Sequence, residues 1–172
     1  MLEFRSARME DIPAIVSLVE SAYRGDSSRQ GWTTEADLLD GQRTDLVTVA
    51  SLIDTPGSQV LLALEGSELL GCAQVAVHAE IGYFGMFAVL PSAQSAGIGS
   101  RILAEAERRA RELQGATVMT MTVISLRREL IDYYQRRGYR STGEARPFPY
   151  GDERFGLPRR GDLEFLVLAK PL

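Results

Sequence analysis

Apolar residues recur at helical spacing in some stretches of the chain and alternate with polar residues in others. Ile98, Ile102, Ala106 and Ala110 fall four apart with Leu103 and Leu113 beside them, so residues 97–113 form the longest expected helix, ended by Gly115. Ile12, Ile15, Val16, Leu18 and Val19 give another, behind Glu10 and Asp11, which suit the positive end of a helix. Leu126 to Arg137 gives a third, capped by Gly138 where a left-handed residue is favoured. Thr34–Leu39 reads as a short helix stopped by Gly41, and residues 46–53 fit helix or strand. Strands are expected at Leu2–Ala7, at Val60–Leu64 and Leu69–Val77 around the turn Glu65-Gly66-Ser67, and at Ile81–Val89, which runs to Pro91. Thr117–Val123, Tyr139–Thr142 and Leu163–Ala169 complete the set. Residues 24–33 read as a polar loop and 145–160 as an irregular, proline-bearing excursion. The order predicts a mixed α/β sheet with helices on its faces.

No repeat or low-complexity segment interrupts this order, and the 172 residues fit one domain, 1–172. Hydrophobic residues make up 45% and charged residues 24%, ordinary values for a globular protein. The single cysteine, Cys72, has no internal partner, which suits a reducing compartment. The N-terminus is charged where a secretory leader needs an apolar run, and no stretch is long enough for a membrane span. A cytoplasmic protein with no membrane partner is expected. The net charge of −4, with arginines interleaved among acids, argues against nucleic-acid binding and is compatible with a cationic amine ligand. The charges at Glu105, Glu107, Arg108, Arg109, Arg111 and Glu112 read as an exposed helix face with intrahelical pairs.

The chemistry concentrates where the strand ending at Val89 meets the long helix. The connecting residues Gln94-Ser95-Ala96-Gly97-Ile98-Gly99 carry two glycines into a first helical turn. Such a turn offers unpaired backbone N–H groups and the positive end of the dipole, and glycine lets a phosphate approach closely. Gln94, Ser95 and Ser100 add side-chain donors. Neither the lysine-bearing nucleotide loop nor the dinucleotide glycine fingerprint is present. By itself Gly97-x-Gly99 also fits a glycine-loosened helix start that binds nothing.

The wider string Phe87-Ala88-Val89-Leu90-Pro91-Ser92-Ala93-Gln94-Ser95-Ala96-Gly97-Ile98-Gly99-Ser100-Arg101-Ile102-Leu103 resembles the acetyl-coenzyme A motif of the GNAT superfamily of N-acetyltransferases. Downstream, Tyr134-Gln135-Arg136-Arg137-Gly138-Tyr139 resembles that superfamily's Y-x-x-x-G-F/Y element, and the order of elements matches over nearly the whole chain. The resemblance implies a central, mostly antiparallel sheet of about seven strands, splayed in the middle and flanked by about four helices. It implies acetyl-coenzyme A as cosubstrate and no metal. Residues 94–99 would hold the pyrophosphate, with Ser100 beside them, and the backbone of Phe87 and Val89 would pair with the pantetheine arm. Arg127 stands where many members carry asparagine, seven residues before the tyrosine, so a pantetheine contact by that side chain is not expected.

Acetyl transfer to an amine needs a deprotonated amine, a donor for the oxyanion and a proton for the leaving thiolate. The resemblance implies the Val89 N–H as oxyanion donor and Tyr134 beside the sulfur as acid. The alternative for Tyr134 is packing, with Leu130 four residues before it; Tyr133 reads as packing. Glu80 is the candidate base, against a solvated turn carboxylate beside His78, the only histidine. Cys72 reads as a buried small hydrophobe. Trp32, Arg43 and Phe148 are the candidate substrate contacts, on segments that wall the acyl end, cover sheet edges or meet a second copy. The expected function is transfer of an acetyl group from acetyl-coenzyme A to a primary amine of a small molecule. The rivals are transfer to protein amines and a non-catalytic coenzyme A sensor or regulatory module. Dimers are common among proteins with this resemblance, so a homodimer belongs to the same expectation.

Overall fold

A computed structural model describes all 172 residues, the side chains of Gly25 and Asp26 excepted. Seven strands form one sheet, in the order β1 (Leu2–Ser6), β3 (Ser58–Glu65), β4 (Glu68–His78), β5 (Ile81–Val89), β6 (Val118–Ile124), β9 (Glu164–Pro171) and β7 (Arg140–Pro147). Every neighbouring pair is antiparallel except β5 and β6. Two further short strands, β2 (Leu39–Asp40) and β8 (Leu157–Pro158), pair with each other.

Alternation along the strands supplies two cores. Val60 and Leu62 of β3 pack with Ile15, Val19 and Val49, from helices α1 (Ile12–Tyr23) and α3 (Leu46–Asp54). Leu61 and Ala63 face the other way, onto Ile102, Ala106 and Leu130 of helices α4 (Ile98–Gln114) and α5 (Arg128–Gln135). A single helical turn, α2 (Gly25–Ser28), follows α1. The four longer helices thus flank the sheet on both faces. Pro at the start of α1 and left-handed Gly115 after α4 mark their ends. Gly138 takes φ +99° beyond α5, and Tyr139 N–H reaches back to the Tyr134 carbonyl at 3.2 Å.

Two irregularities position the site. Between its pairings with Gln74 and Cys72, β5 carries one residue more than β4, so the ladder bulges, and Met86 there takes φ +43°. The bulge reverses the alternation: Phe84 faces the α4 core, Met86 and Ala88 face the α1 core, and Val89 returns to the α4 side. The parallel pairing of β5 with β6 covers only Ile81–Tyr83 against Val118–Thr120, after which the two strands separate.

Several local expectations are corrected. Thr34–Leu39 forms no helix. Leu38 and Leu39 N–H both bond the Glu35 carbonyl (2.8 and 2.9 Å) in one turn, and Arg159 N–H takes the Leu38 carbonyl, leading the chain into β2. Burial of the Glu35 carboxylate overrides the local helical pattern. Residues 46–53 are helical because Asp45 caps them, its carboxylate accepting from Thr48 N–H at 2.7 Å. Glu10 and Asp11 lie in a 3-10 turn before α1, where Asp11 pairs with Arg5 at 2.7 Å. The last expected helix is shorter, and β7 extends to Pro147. The charges of α4 do pair within the helix, with Arg108 between Glu105 and Glu112. Glu107 instead reaches Tyr139 Oη and Lys170 Nζ.

The absence of a side chain at Gly71 sets how closely α4 approaches the sheet. A Cβ there would lie 2.5 Å from Ile102 Cδ1 and 3.0 Å from the Ala88 carbonyl oxygen. Gly71→Ala should therefore lower stability in urea by about 1–3 kcal/mol, and adding Ile102→Val should restore part of the loss. An unchanged midpoint for the single variant would contradict this packing.

Candidate active site

The separation of β5 from β6 opens two cavities that meet at Tyr23, Phe87, Arg127 and Leu130. The first, of about 240 Å³, runs from the end of β5 to the start of α4. Phe87, Val89, Gln94, Ser95, Gly97, Gly99 and Ser100 line it, with Ala96 and Ile98 in the same connection. Ser95 (φ +71°) and Gly97 (φ +78°) are both left-handed. Among the described residues no backbone or side-chain acceptor takes the N–H groups of Ser95, Ala96, Gly97, Ile98 or Gly99, and no side chain caps α4. Ser95, Ala96 and Gly97 are exposed, so these donors face solvent. The cavity is lined by the cations Arg127 and Arg137 and by no carboxylate. Unpaired amides, a helix dipole and cations together fit a diphosphate. The lack of a side chain at Gly99 keeps the passage clear: a Cβ there would stand 3.0 Å from Phe87 Cζ and 3.1 Å from Tyr133 Oη.

Side chains fix the walls of this cavity. Gln94 acts as a staple, its Oε1 accepting from Trp32 N–H and its Nε2 donating to the Val89 carbonyl, each at 3.0 Å. Tyr23 Oη donates to the Phe87 carbonyl. Leu90 N–H bonds the Leu70 carbonyl across β4, so by alternation the polar groups of Val89 point away from β4 into the gap. Trp32 lies against Tyr133 (centroids 5.4 Å apart) at this first cavity, away from the second. Tyr133 is a wall residue here, where sequence reasoning took it for packing. Arg137 stacks on the Tyr133 ring at 3.5 Å and donates to Ser100 Oγ at 2.7 Å. Arg137 and Tyr23 were missed in the sequence. The Tyr133–Arg137 spacing of four on one helix face was a usable signal for Arg137; Tyr23 gave none.

The second cavity, of about 280 Å³, is walled by Arg43, Phe148 and Tyr134 together with Arg24, Glu35, Gln74 and Arg127. Tyr134 is 4% exposed, packed edge-on to Phe84 (6.5 Å), Tyr133 (5.4 Å) and Tyr139 (5.9 Å). Its hydroxyl makes no hydrogen bond among the described residues. Burial, reinforced by the neighbouring Tyr23, holds its pKa well above the ordinary phenol value, so it carries its proton throughout the neutral range. Glu35 accepts from Arg24 and, at 3.0 Å, from Arg127. Burial by itself would raise its pKa; the attraction of Arg127, Arg24 and Arg43 outweighs that and holds it below the ordinary carboxylate range. Arg127 Nη2 also donates to Thr33 Oγ1 at 2.7 Å. Arg127 is thus a buried structural pillar between the two cavities.

Glu80 is not brought to either cavity. It is exposed in the turn before β5 at φ +67°, the far end of that strand from Val89, with its carbonyl accepting from Thr117 N–H at 2.8 Å. His78 is exposed beside it. Cys72 is fully buried, and burial pushes its thiol up to about 12. Among the described residues no group of three or more His, Cys, Asp or Glu side chains is arranged to hold a metal ion, and no helix is long and apolar enough to cross a membrane.

Residues 14–139 match the family model described as acetyltransferase (GNAT) family. Among solved structures, the fold is similar to the ribosomal-protein-S18-alanine N-acetyltransferase of Escherichia coli, with TM-score 0.73 and 16% identity over 99% of this chain and 94% of that one. It is similar to a ribosomal-protein-alanine N-acetyltransferase from Brucella melitensis, with TM-score 0.72 and 20% identity over 99% of each chain. A candidate streptothricin acetyltransferase from Bacillus anthracis str. Ames, solved in complex with acetyl coenzyme A, matches with TM-score 0.58 and 15% identity over 72% of this chain and 68% of that one. No curated protein matches the chain.

Gly97→Glu tests the first cavity. A Cβ at Gly97 meets nothing within 4 Å, but φ +78° strains a side chain there by about 1–2 kcal/mol, so Gly97→Asn, which tolerates that conformation, is the control for the backbone while the Glu carboxylate faces the unpaired amides. Calorimetric titration should show coenzyme A binding lost, by at least about a hundredfold, from charge repulsion and bulk. Undiminished binding would remove this loop from the diphosphate site.

Proposed function

Because the chain belongs to the GNAT acetyltransferase family, we propose that it transfers an acetyl group from acetyl-coenzyme A to a primary amine of a small molecule, by direct attack within a ternary complex. The observation that carries the reading is the run of unpartnered amides from Ser95 to Gly99 at one end of a continuous pair of cavities. Those amides, with Arg137 beside them, would hold the diphosphate, and the exposed β5 edge at Phe87 and Val89 would hold the pantetheine arm. Bound there, acetyl-coenzyme A supplies the activated acetyl thioester.

The remaining work belongs to the chain's own groups. The Val89 N–H, directed into the gap, serves as donor to the oxygen that gains charge. Tyr134 keeps its proton and offers it toward the sulfur from the wall shared by Leu130 and Phe87. Direct attack is supported by the place of the one thiol, Cys72, which lines neither cavity and is kept protonated by burial. Glu35 is occupied by two arginines and does not serve as base. Glu80, remote from both cavities, is replaced in this role by water: the amine releases its proton to solvent before attack. The local excess of arginines assists, because neighbouring cations disfavour an ammonium. The modest size of the second cavity, about 280 Å³, supports a small acceptor over a protein amine. The Brucella and Escherichia relatives, whose names specify ribosomal-protein acceptors, share only the fold at their identities.

Tyr134→Phe should lower kcat by on the order of a hundredfold with little change in coenzyme A affinity. The rate of the unmodified protein should rise with pH toward the pKa of the amine, about 10 for a primary alkylamine, and show no fall below it, because Tyr134 ionises higher still. An unchanged kcat in the variant would remove Tyr134 as the proton donor. A rising limb near pH 6 for every amine tried would call for an enzyme base after all.

A further inference from the structure

The second cavity has a charge opposite to that of the whole molecule. Arg24, Arg43 and Arg127 line it against the single carboxylate of Glu35, while the chain as a whole carries −4. Two of the arginines are committed: Arg24 and Arg127 both donate to Glu35. Arg43 is not. Its backbone is fixed by Glu20, whose Oε1 accepts from the N–H groups of Arg43 (2.6 Å) and Thr44 (2.8 Å). Its guanidinium lies over the Tyr23 ring, 5.1 Å from the centroid, and makes no hydrogen bond or ion pair among the described residues. Two groups beside it are buried without a hydrogen bond, the Thr44 hydroxyl and the Nε–H of Arg24, while Arg127 Nε lies 4.0 Å from Glu129 Oε1. Buried and half-buried donors ordinarily find acceptors, so an uncommitted guanidinium at Arg43 in a cavity with three arginines and one carboxylate suits an anion.

Resting on the reading of this cavity as the acceptor site, we infer that the acceptor amine also bears a carboxylate, which the Arg43 guanidinium receives in a two-pronged contact beside the Thr44 hydroxyl. Guanidinium and carboxylate match in planar geometry, and the stacked position over Tyr23 holds the fork in place. Tyr23 also sets the spacing. Its hydroxyl grips the Phe87 carbonyl where the two cavities meet, and its ring carries Arg43. A carboxylate on Arg43 is thereby held close to the junction of the two cavities, as a small amino acid would place it. Aromatic residues Tyr83, Phe148 and Phe165 also line the cavity and suit an apolar or aromatic side chain. A peptide N-terminus, which has an amide in place of the carboxylate, leaves Arg43 unmet.

The test uses product mimics, so that binding is read without turnover. The protein saturated with coenzyme A is titrated calorimetrically with N-acetylphenylalanine, its carboxamide and N-acetylphenethylamine. The acid should bind at least tenfold more tightly than the other two. Arg43→Gln should abolish that advantage while leaving the two neutral compounds unchanged, and Arg43→Lys should keep part of it. Three ligands that bind alike, no binding by any, or a preference for the acid that survives Arg43→Gln would overturn the inference. Parallel assays with phenylalanine, phenylalaninamide and phenethylamine separate the two readings. Acetylation that ignores the carboxylate defeats this inference alone. Arg43-dependent binding of the acid with none of the three acetylated sustains the anion site and defeats the acetyl-transfer reading.

Discussion

Backbone groups in a β-sheet find partners on both sides unless something parts the strands, and the parting of β5 from β6 beyond Tyr83 is what the rest of this structure depends on. One extra residue at Met86 bends β5 and turns its later side chains to opposite faces. The exposed edge then feeds a connection whose left-handed residues, Ser95 and Gly97, leave a run of amides unpaired at the start of α4. Unpaired donors at a helix start are tolerable in water and become an asset when a dianion arrives. Tyr23 and Gln94 satisfy the carbonyls of Phe87 and Val89 meanwhile, so the open edge is held in shape rather than left to collapse.

A second constraint is the buried carboxylate of Glu35. Taking Arg24, Arg127 and Glu35 out of water is costly, and only their mutual bonds make it tolerable. The arrangement ties the segment after α1 to the start of α5 and so builds the wall between the two cavities. It also explains how a residue that departs from the family pattern is accommodated: Arg127 reaches across to Glu35 and Thr33 and serves as a strut. The excess positive charge that results is local, invisible in a chain whose net charge is negative.

Much of this was legible in the sequence, where local chemistry decides. The Ile98–Ala110 spacing fixes α4, Gly115 and Gly138 end their helices, and Ile81–Val89 is a strand to the residue. The loop 94–99 was legible because glycine before a helix has a direct physical meaning. Thr34–Leu39 was misjudged because its helical pattern is overridden by a carboxylate whose arginine partners lie 11 and 92 residues away. Glu80 was attractive for its chemistry and its nearness in the chain to β5, but a strand carries its two ends far apart. Tyr23 reaches the cavity through the orientation of α1, which only its packing on the sheet determines, whereas Arg137 follows Tyr133 by one helical turn.

The central claim is that the amides from Ser95 to Gly99 receive a diphosphate. Backbone amide NMR on the labelled protein, titrated in turn with coenzyme A and with pantetheine, which lacks the phosphates, tests it most directly. Large shifts of those amides are expected with coenzyme A and not with pantetheine. Amides there that stay unmoved while coenzyme A binds elsewhere would contradict the account.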